Sequence, residues 1–210
     1  MSNEQKKKTI KTPVVIVVEG MDYFRFLLHQ LDGPARFAEV QLWNFSETGE
    51  LGEQLRLLTD VHDFQKVRAL GVIRDVEAQR AAQEQSVQSA FRNAGLAVPA
   101  RQMEVENGTP KTGFLLMPHD EDSGCLEHAC VKVMPKPFLD CVEGFYQCMS
   151  PHHNPPLNEN YKAKLKVHAR IAGSNKPQLT LGDSSKAGFW DFTQEPLKVM
   201  LDFIEKMVRA

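Results

Sequence analysis

Five consecutive β-branched residues, Val14-Val15-Ile16-Val17-Val18, constrain this chain more than any other stretch. Branching at Cβ favours extended backbone, and an apolar run without alternation suits a strand covered on both faces. The run stops at Glu19-Gly20-Met21-Asp22, after which Tyr23 to Leu31 has the spacing of an amphipathic helix. Gly20 permits a sharp turn, and Asp22 is expected to cap the first free amides of that helix. Glu19 is thereby left at the C-terminal mouth of a buried parallel strand, the edge where open α/β sheets bind ligands. An ionised group there is costly unless solvated, paired or metal-bound, and a solvated loop acid is the plain alternative.

The same grammar repeats along the chain. Val40 to Phe45 reads as a second strand, and Thr48-Gly49 breaks it. Leu51, Leu55 and Leu58 then fall at helical spacing. Ala69 to Ile73 is another buried strand, running out through Arg74-Asp75-Val76-Glu77 into a helix from Ala78 to Ala94 that Gly95 terminates. In that helix Ala82, Val87, Ala90 and Phe91 are expected to face inward. A polar, turn-rich connection, Asn107 to Gly113, leads to the strand Gly113 to Pro118, the acidic run Asp120-Glu121-Asp122, and a helix from Leu126 to Val133. This β-α alternation calls for a mainly parallel sheet of about four or five strands with right-handed crossovers. The expected architecture is a three-layer, Rossmann-like α/β domain over residues 13–133, preceded by a polar tail, 1–12, and followed by a helical C-terminal extension, 134–210, packed on the core.

Within 134–210, Phe138 to Cys148 reads as helix and Ser150 to Asn158 as a Pro- and His-rich loop. Tyr161 to Ala172 is ambiguous. Its basic residues alternate as in a strand, but Tyr161, Leu165, Ala169 and Ala172 keep helical spacing, and helix is the reading adopted. A last helix carries the stripe Leu197, Met200, Leu201, Ile204 and Val208.

Composition excludes some functions. A net charge of −2 argues against blanket attraction to nucleic acid, so any such binding needs a local basic surface. No apolar run approaches the ~20 residues that span a bilayer, and Met-Ser-Asn-Glu-Gln-Lys-Lys-Lys lacks the apolar centre of a signal peptide. Cys125, Cys130, Cys141 and Cys148 fit reduced thiols, so the cytoplasm is the expected compartment.

Three apolar strands end at acids: Glu19, then Asp75 with Glu77, then Asp120 to Asp122. In a parallel sheet those ends share one edge, and on an extended exit Asp75 and Glu77 would point to the same side. Carboxylates gathered without enough cations must share protons or recruit a hard cation, for which Mg²⁺ (or Mn²⁺) is suited. Two such ions could support phosphodiester cleavage.

The stretch Val17-Val18-Glu19-Gly20-x-Asp22, with Asp75-x-Glu77 after a later strand, resembles the Toprim domain of topoisomerases, primases and OLD-type nucleases. More narrowly, Met117-Pro118, Gly124-Cys125-Leu126-Glu127 and Gly188-Phe189-Trp190-Asp191-Phe192 resemble a bacterial Toprim-like family of uncharacterised function. The first resemblance covers about residues 13–133 and the second most of the chain. It implies that Glu19 is a general acid/base or metal ligand and Asp75 the first metal aspartate. Glu77 stands where a second aspartate is usual. Such nucleases also use a later acid, for which Glu127 and Asp122 are candidates, and a lysine, for which Lys166 and Lys164 are candidates. The expected function is Mg²⁺-dependent cleavage of DNA or RNA. The alternatives are a non-catalytic module that binds nucleic acid or a partner protein, and a small-molecule phosphate enzyme using the same edge.

Other signals compete less well. Residues 160–176 hold five Lys or Arg and no acid, which reads equally as a phosphate-contacting surface or a solvated helix face. Cys125-x-x-His128-x-Cys130, with His119, His152 and His153, lacks the paired Cys-x-x-Cys knuckles of structural zinc, so buried thiols and surface histidines are expected. Gly108-Thr109-Pro110-Lys111-Thr112-Gly113 has P-loop ingredients in the wrong order. Phe189, Trp190 and Phe192 could stack a base, but a core anchor beneath the last helix is the stronger expectation.

Overall fold

A computed structural model describes residues 9–45, 50–152 and 158–210. Lys6-Lys7-Lys8, the break at Thr48-Gly49, and His153 with most of its loop lie outside the described residues. The elements are β1 (Val14–Glu19), α1 (Gly20–Leu31), β2 (Val40–Phe45), α2 (Leu51–Thr59), β3 (Ala69–Asp75), α3 (Arg80–Asn93), β4 (Val105–Glu106) and β5 (Lys111–Met117). They continue with α4 (Leu126–Lys132), α5 (Lys136–Met149), α6 (Glu159–Ala172), α7 (Leu181–Lys186) and α8 (Lys198–Arg209).

The sheet order is β2-β1-β3-β5-β4. The pairs β1–β2, β1–β3 and β3–β5 are parallel, and β4 adds a two-residue antiparallel edge. From β1 the chain crosses outward to β2, then returns past β1 to β3 and moves on to β5. The reversal therefore lies between β1 and β3, at whose C-terminal ends α/β sheets place their ligand crevice.

Both faces of the sheet are covered. Val14, Ile16, Val18, Ala69 and Ile73 pack with Phe26 and Leu27 of α1 and with Phe203, Ile204 and Met207 of α8. Val15, Val17, Leu70 and Val72 pack with Leu51, Leu55 and Leu58 of α2 and with Val87, Ala90 and Phe91 of α3. The helices expected after residue 134 are present, and α8 is one of the elements covering the first face. Two glycines let it come close. Gly71 and Gly113 are register partners. A Cβ at Gly71 would stand 2.7 Å from Ile16 Cδ1 and 3.1 Å from the Phe203 ring, and one at Gly113 would stand 2.8 Å from Met207 Sδ. Phe203 thus drops into a trough that side chains would fill. Lys111 Nζ to Ala210 O (2.6 Å) and a guanidinium nitrogen of Arg68 to Val208 O (2.7 Å) tie down the end of α8.

Several sequence expectations need correction in detail. Helix α1 starts at Gly20, whose φ of +81° turns the chain at once, so Asp22 is not the cap. Asp22 instead accepts a bond from the Gly182 amide at 3.3 Å. Helix α6 is helical as read, but it buries Ala163, Val167 and Ile171 and leaves Tyr161 exposed. Ala82 is exposed, and the buried stripe of α8 includes Val199, Phe203 and Met207 but not Val208. Trp190 and Phe192 are core residues, packed beside Phe26 of α1, with Trp190 Nε1 donating to Ser184 Oγ at 2.7 Å. Cys125 and Cys130 are buried, whereas Cys141 and Cys148 are exposed. Among the described residues no helix is long and apolar enough to cross a membrane.

Candidate functional site

The carboxylates expected to converge do reach the C-terminal edge of the sheet, but by different faces. Side chains alternate along a strand. Glu19 follows Val15 and Val17 toward the α2/α3 face, while Asp75 follows Ala69 and Ile73 toward the face covered by α1 and α8.

Glu19 meets Arg74 of the neighbouring strand. Arg74 Nε lies 3.0 Å from Glu19 Oε2, and a second guanidinium nitrogen lies 3.4 Å from Oε1. Both side chains are largely shielded from solvent, so each neutralises a charge that the other could not leave exposed to the core. The pair floors a cleft of about 490 Å³ between the start of α2 and the small residues Ser86, Ser89 and Asn93 of α3.

Asp75 is held by hydrogen bonds. Its Oδ1 accepts from the buried Tyr23 hydroxyl (2.5 Å) and from the amide of Leu126 (2.8 Å), the first residue of α4. Burial pushes the Asp75 carboxyl well above the usual carboxylate range. The Tyr23 bond opposes this, while the negative charges of Glu127, Glu77 and Glu19 push further in the same direction. Burial, with Asp75 next to it, likewise raises the Tyr23 phenol. The Cys125 thiol is raised by burial and then by Glu127 and Asp75. Its sulfur lies 3.3 Å from His128 Nδ1. A thiol raised in this way stays protonated and is not an activated nucleophile.

Glu77 does not share an extended exit with Asp75. Val76 continues the ladder through a 2.8 Å bond to Met117 O, and Glu77 then adopts φ +61° and exchanges two 2.8 Å backbone bonds with Gly124. Its side chain is exposed. Glu127 lies in the first turn of α4, half-buried and near enough to bear on Asp75. Asp122 is exposed, and what it contributes is its carbonyl, which accepts from the Arg80 amide. Lys166 pairs with Glu143 at 3.4 Å and lines a cleft against α4. Lys164, about 200° away around the same helix, is exposed.

A hard divalent cation of the kind the Toprim resemblance implies needs carboxylate oxygens turned to one point. Here Glu19 is engaged by Arg74, Asp75 Oδ1 already serves two donors, and the two acids leave opposite faces. Among the described residues no three His, Cys, Asp or Glu side chains gather as a metal-binding group.

Sequence reasoning missed the residues that engage these acids. Arg74 was adjacent to Asp75 in the sequence and could have been read as the cation that a strand-end acid requires. Arg80 left a subtler signal. A basic residue opening a helix opposes the helix dipole and therefore needs a reason. The reason is that its guanidinium donates to the carbonyls of Pro118 (2.5 Å) and Glu121, fastening the loop after β5. Tyr23 carried no signal beyond its place in the first turn after Glu19.

Comparison with known proteins yields one family match: residues 13–209 match the family described as "Protein of unknown function (DUF3226)". No curated protein and no solved structure matches the chain.

Proposed function

The chain belongs to the DUF3226 family of proteins of unknown function, and we propose that it is a non-catalytic, Toprim-like module that works in the cytoplasm by binding nucleic acid. One observation carries the reading. The two acids that the resemblance marks as catalytic, Glu19 and Asp75, are already satisfied within the protein, one by Arg74 and the other by Tyr23 and the α4 amide. Glu19 ties β1 to β3 and Asp75 ties β3 to α1 and α4, with the helical segment after residue 134 packed on the Toprim-like part. Four cysteines without a disulfide suit a reducing compartment. The binding part of the reading rests on the lysines of α6, because phosphate contacts supply the sequence-independent share of nucleic-acid affinity.

The test is incubation with mixed single- and double-stranded DNA and RNA in Mg²⁺ or Mn²⁺, with calorimetric titration of each ion. The expected outcome is binding of nucleic acid without cleavage, and no ion binding that depends on Glu19 or Glu77. Metal-dependent cleavage abolished by both Glu19→Ala and Glu77→Gln would overturn the proposal. It would favour the second reading, a Mg²⁺-dependent nuclease with Lys166 or Lys164 near the phosphate. That reading has one observation on its side: Glu127, Glu77 and Glu19 crowd Asp75 with negative charge.

A further inference from the structure

Helices α4 and α6 face each other across a cleft of about 140 Å³ lined by Lys132, Lys162, Lys166, His128, Glu121 and Glu159. Three ammonium groups in so small a space repel one another unless anions intervene. In this protein the anions are borrowed from the rim. Lys132 Nζ lies 2.7 Å from Glu121 and 3.0 Å from Asp120, Lys162 Nζ 2.8 Å from Glu159, and Lys166 Nζ 3.4 Å from Glu143.

The pairs are asymmetric. In each, the lysine is the less exposed partner: 32% against 38% and 49% for Lys132, 27% against 79% for Lys162, and 25% against 42% for Lys166. The contrast is clear for Lys162 and Lys166 and slight for Lys132, and it makes the carboxylates the more readily replaced half. Such surface pairs are individually weak. The His128 ring is fixed in place by the Cys125 amide, which lies 3.2 Å from Nδ1. Glu159 reports the sign of the field. The Lys162 hydrogen bond, with the charges of Lys162 and Lys166 behind it, holds its carboxyl below the usual range.

We propose that this α4–α6 cleft is a phosphate-binding site, in which Lys132, Lys162 and Lys166 grip a backbone phosphate of nucleic acid and Glu159 is the internal carboxylate that the phosphate displaces. A phosphate offers more acceptor oxygens than the carboxylate it replaces, and a second cationic contact continues along the helix. Lys162, Lys166 and Arg170 recur every four residues, a row spaced about 6 Å apart. A row suits a polyanion better than an isolated ion. The proposal rests on the nucleic-acid reading above.

The experiment is fluorescence anisotropy of the full chain with a labelled single-stranded oligonucleotide over a range of salt, repeated with inorganic phosphate as competitor. It uses the parent, Lys162→Gln, Lys166→Gln and Glu159→Gln, each checked for native circular dichroism. Both lysine variants are expected to weaken binding roughly fivefold at low salt and to lower the slope of log affinity against log salt by about one. Glu159→Gln is expected to tighten binding. Parent-like binding in both lysine variants would overturn the site and leave nucleic-acid binding standing. Inorganic phosphate bound by the parent and lost in the lysine variants, with no oligonucleotide binding, would uphold the site and overturn the nucleic-acid reading. Binding of neither probe overturns both.

Discussion

The two faces of the sheet hold their edge carboxylates by different means. On the α2/α3 face, Glu19 is matched by a full opposite charge, Arg74, at 3.0 Å. On the other face, Asp75 receives two neutral donors, and the negative charges of Glu127, Glu77 and, from across the sheet edge, Glu19 bear on it. A paired charge can stay ionised at low cost as long as both partners are present. A carboxyl held by hydrogen bonds in a buried, negatively charged neighbourhood is better kept protonated. The two acids therefore depend on different kinds of partner. The same division runs through the packing, since the Asp75 face also receives α8 over its glycine trough while the Glu19 face opens into a cleft.

The largest effect should come from emptying the trough. Phe203→Ala leaves a void over Gly71 and Gly113 and is expected to cost about 3–5 kcal/mol in urea unfolding. A loss below about 1 kcal/mol would mean that α8 is not integral to that face. Next comes the ion pair. Arg74→Met strands a shielded Glu19 and should cost about 2–3 kcal/mol, discounted from the fully buried case because water still reaches the pair. The double change Arg74→Met with Glu19→Gln should recover most of that loss. A double-mutant cycle with no coupling would remove the distinction between the faces.

Smallest at mid-acid pH is Asp75→Asn, because the amide oxygen can still accept from Tyr23 and Leu126. Its signature is in the pH dependence. A carboxyl whose folded value lies above its unfolded value binds more protons in the native state, so parental stability falls as pH rises from about 4 toward the folded value. Asp75→Asn should flatten that decline and gain on the parent toward neutrality. Parallel stability–pH curves for the two proteins would show that Asp75 does not titrate as its surroundings require.

The fold was legible because its strands are written as apolar runs bounded by turns: 14–19, 40–45, 69–75 and the stretch before Pro118. Strand β4 was not legible, since two half-buried residues, Val105 and Glu106, leave no pattern to read. That acids gather at one edge also followed from parallel topology. Which face each acid takes did not. In Val14 to Val18 every residue is buried, so the alternation that would disclose inward and outward positions is erased, and the parity of Glu19 against Asp75 cannot be counted from the sequence. For the same reason Tyr23 and Arg74 could not be assigned to different acids. In α6 both alternating and helical spacings were present, and the burial of Ala163, Val167 and Ile171 against the neighbouring helices selected the helix.

The paired glycines bear on how the protein comes into being. Among the described residues every strand is present by Met117, but the part of one face over the two glycines, beside α1, stays uncovered until residues 198–209 arrive to seal it. On a ribosome, the greasy surface over Gly71 and Gly113 would wait through some eighty further residues of synthesis, an interval in which a chaperone has something to hold.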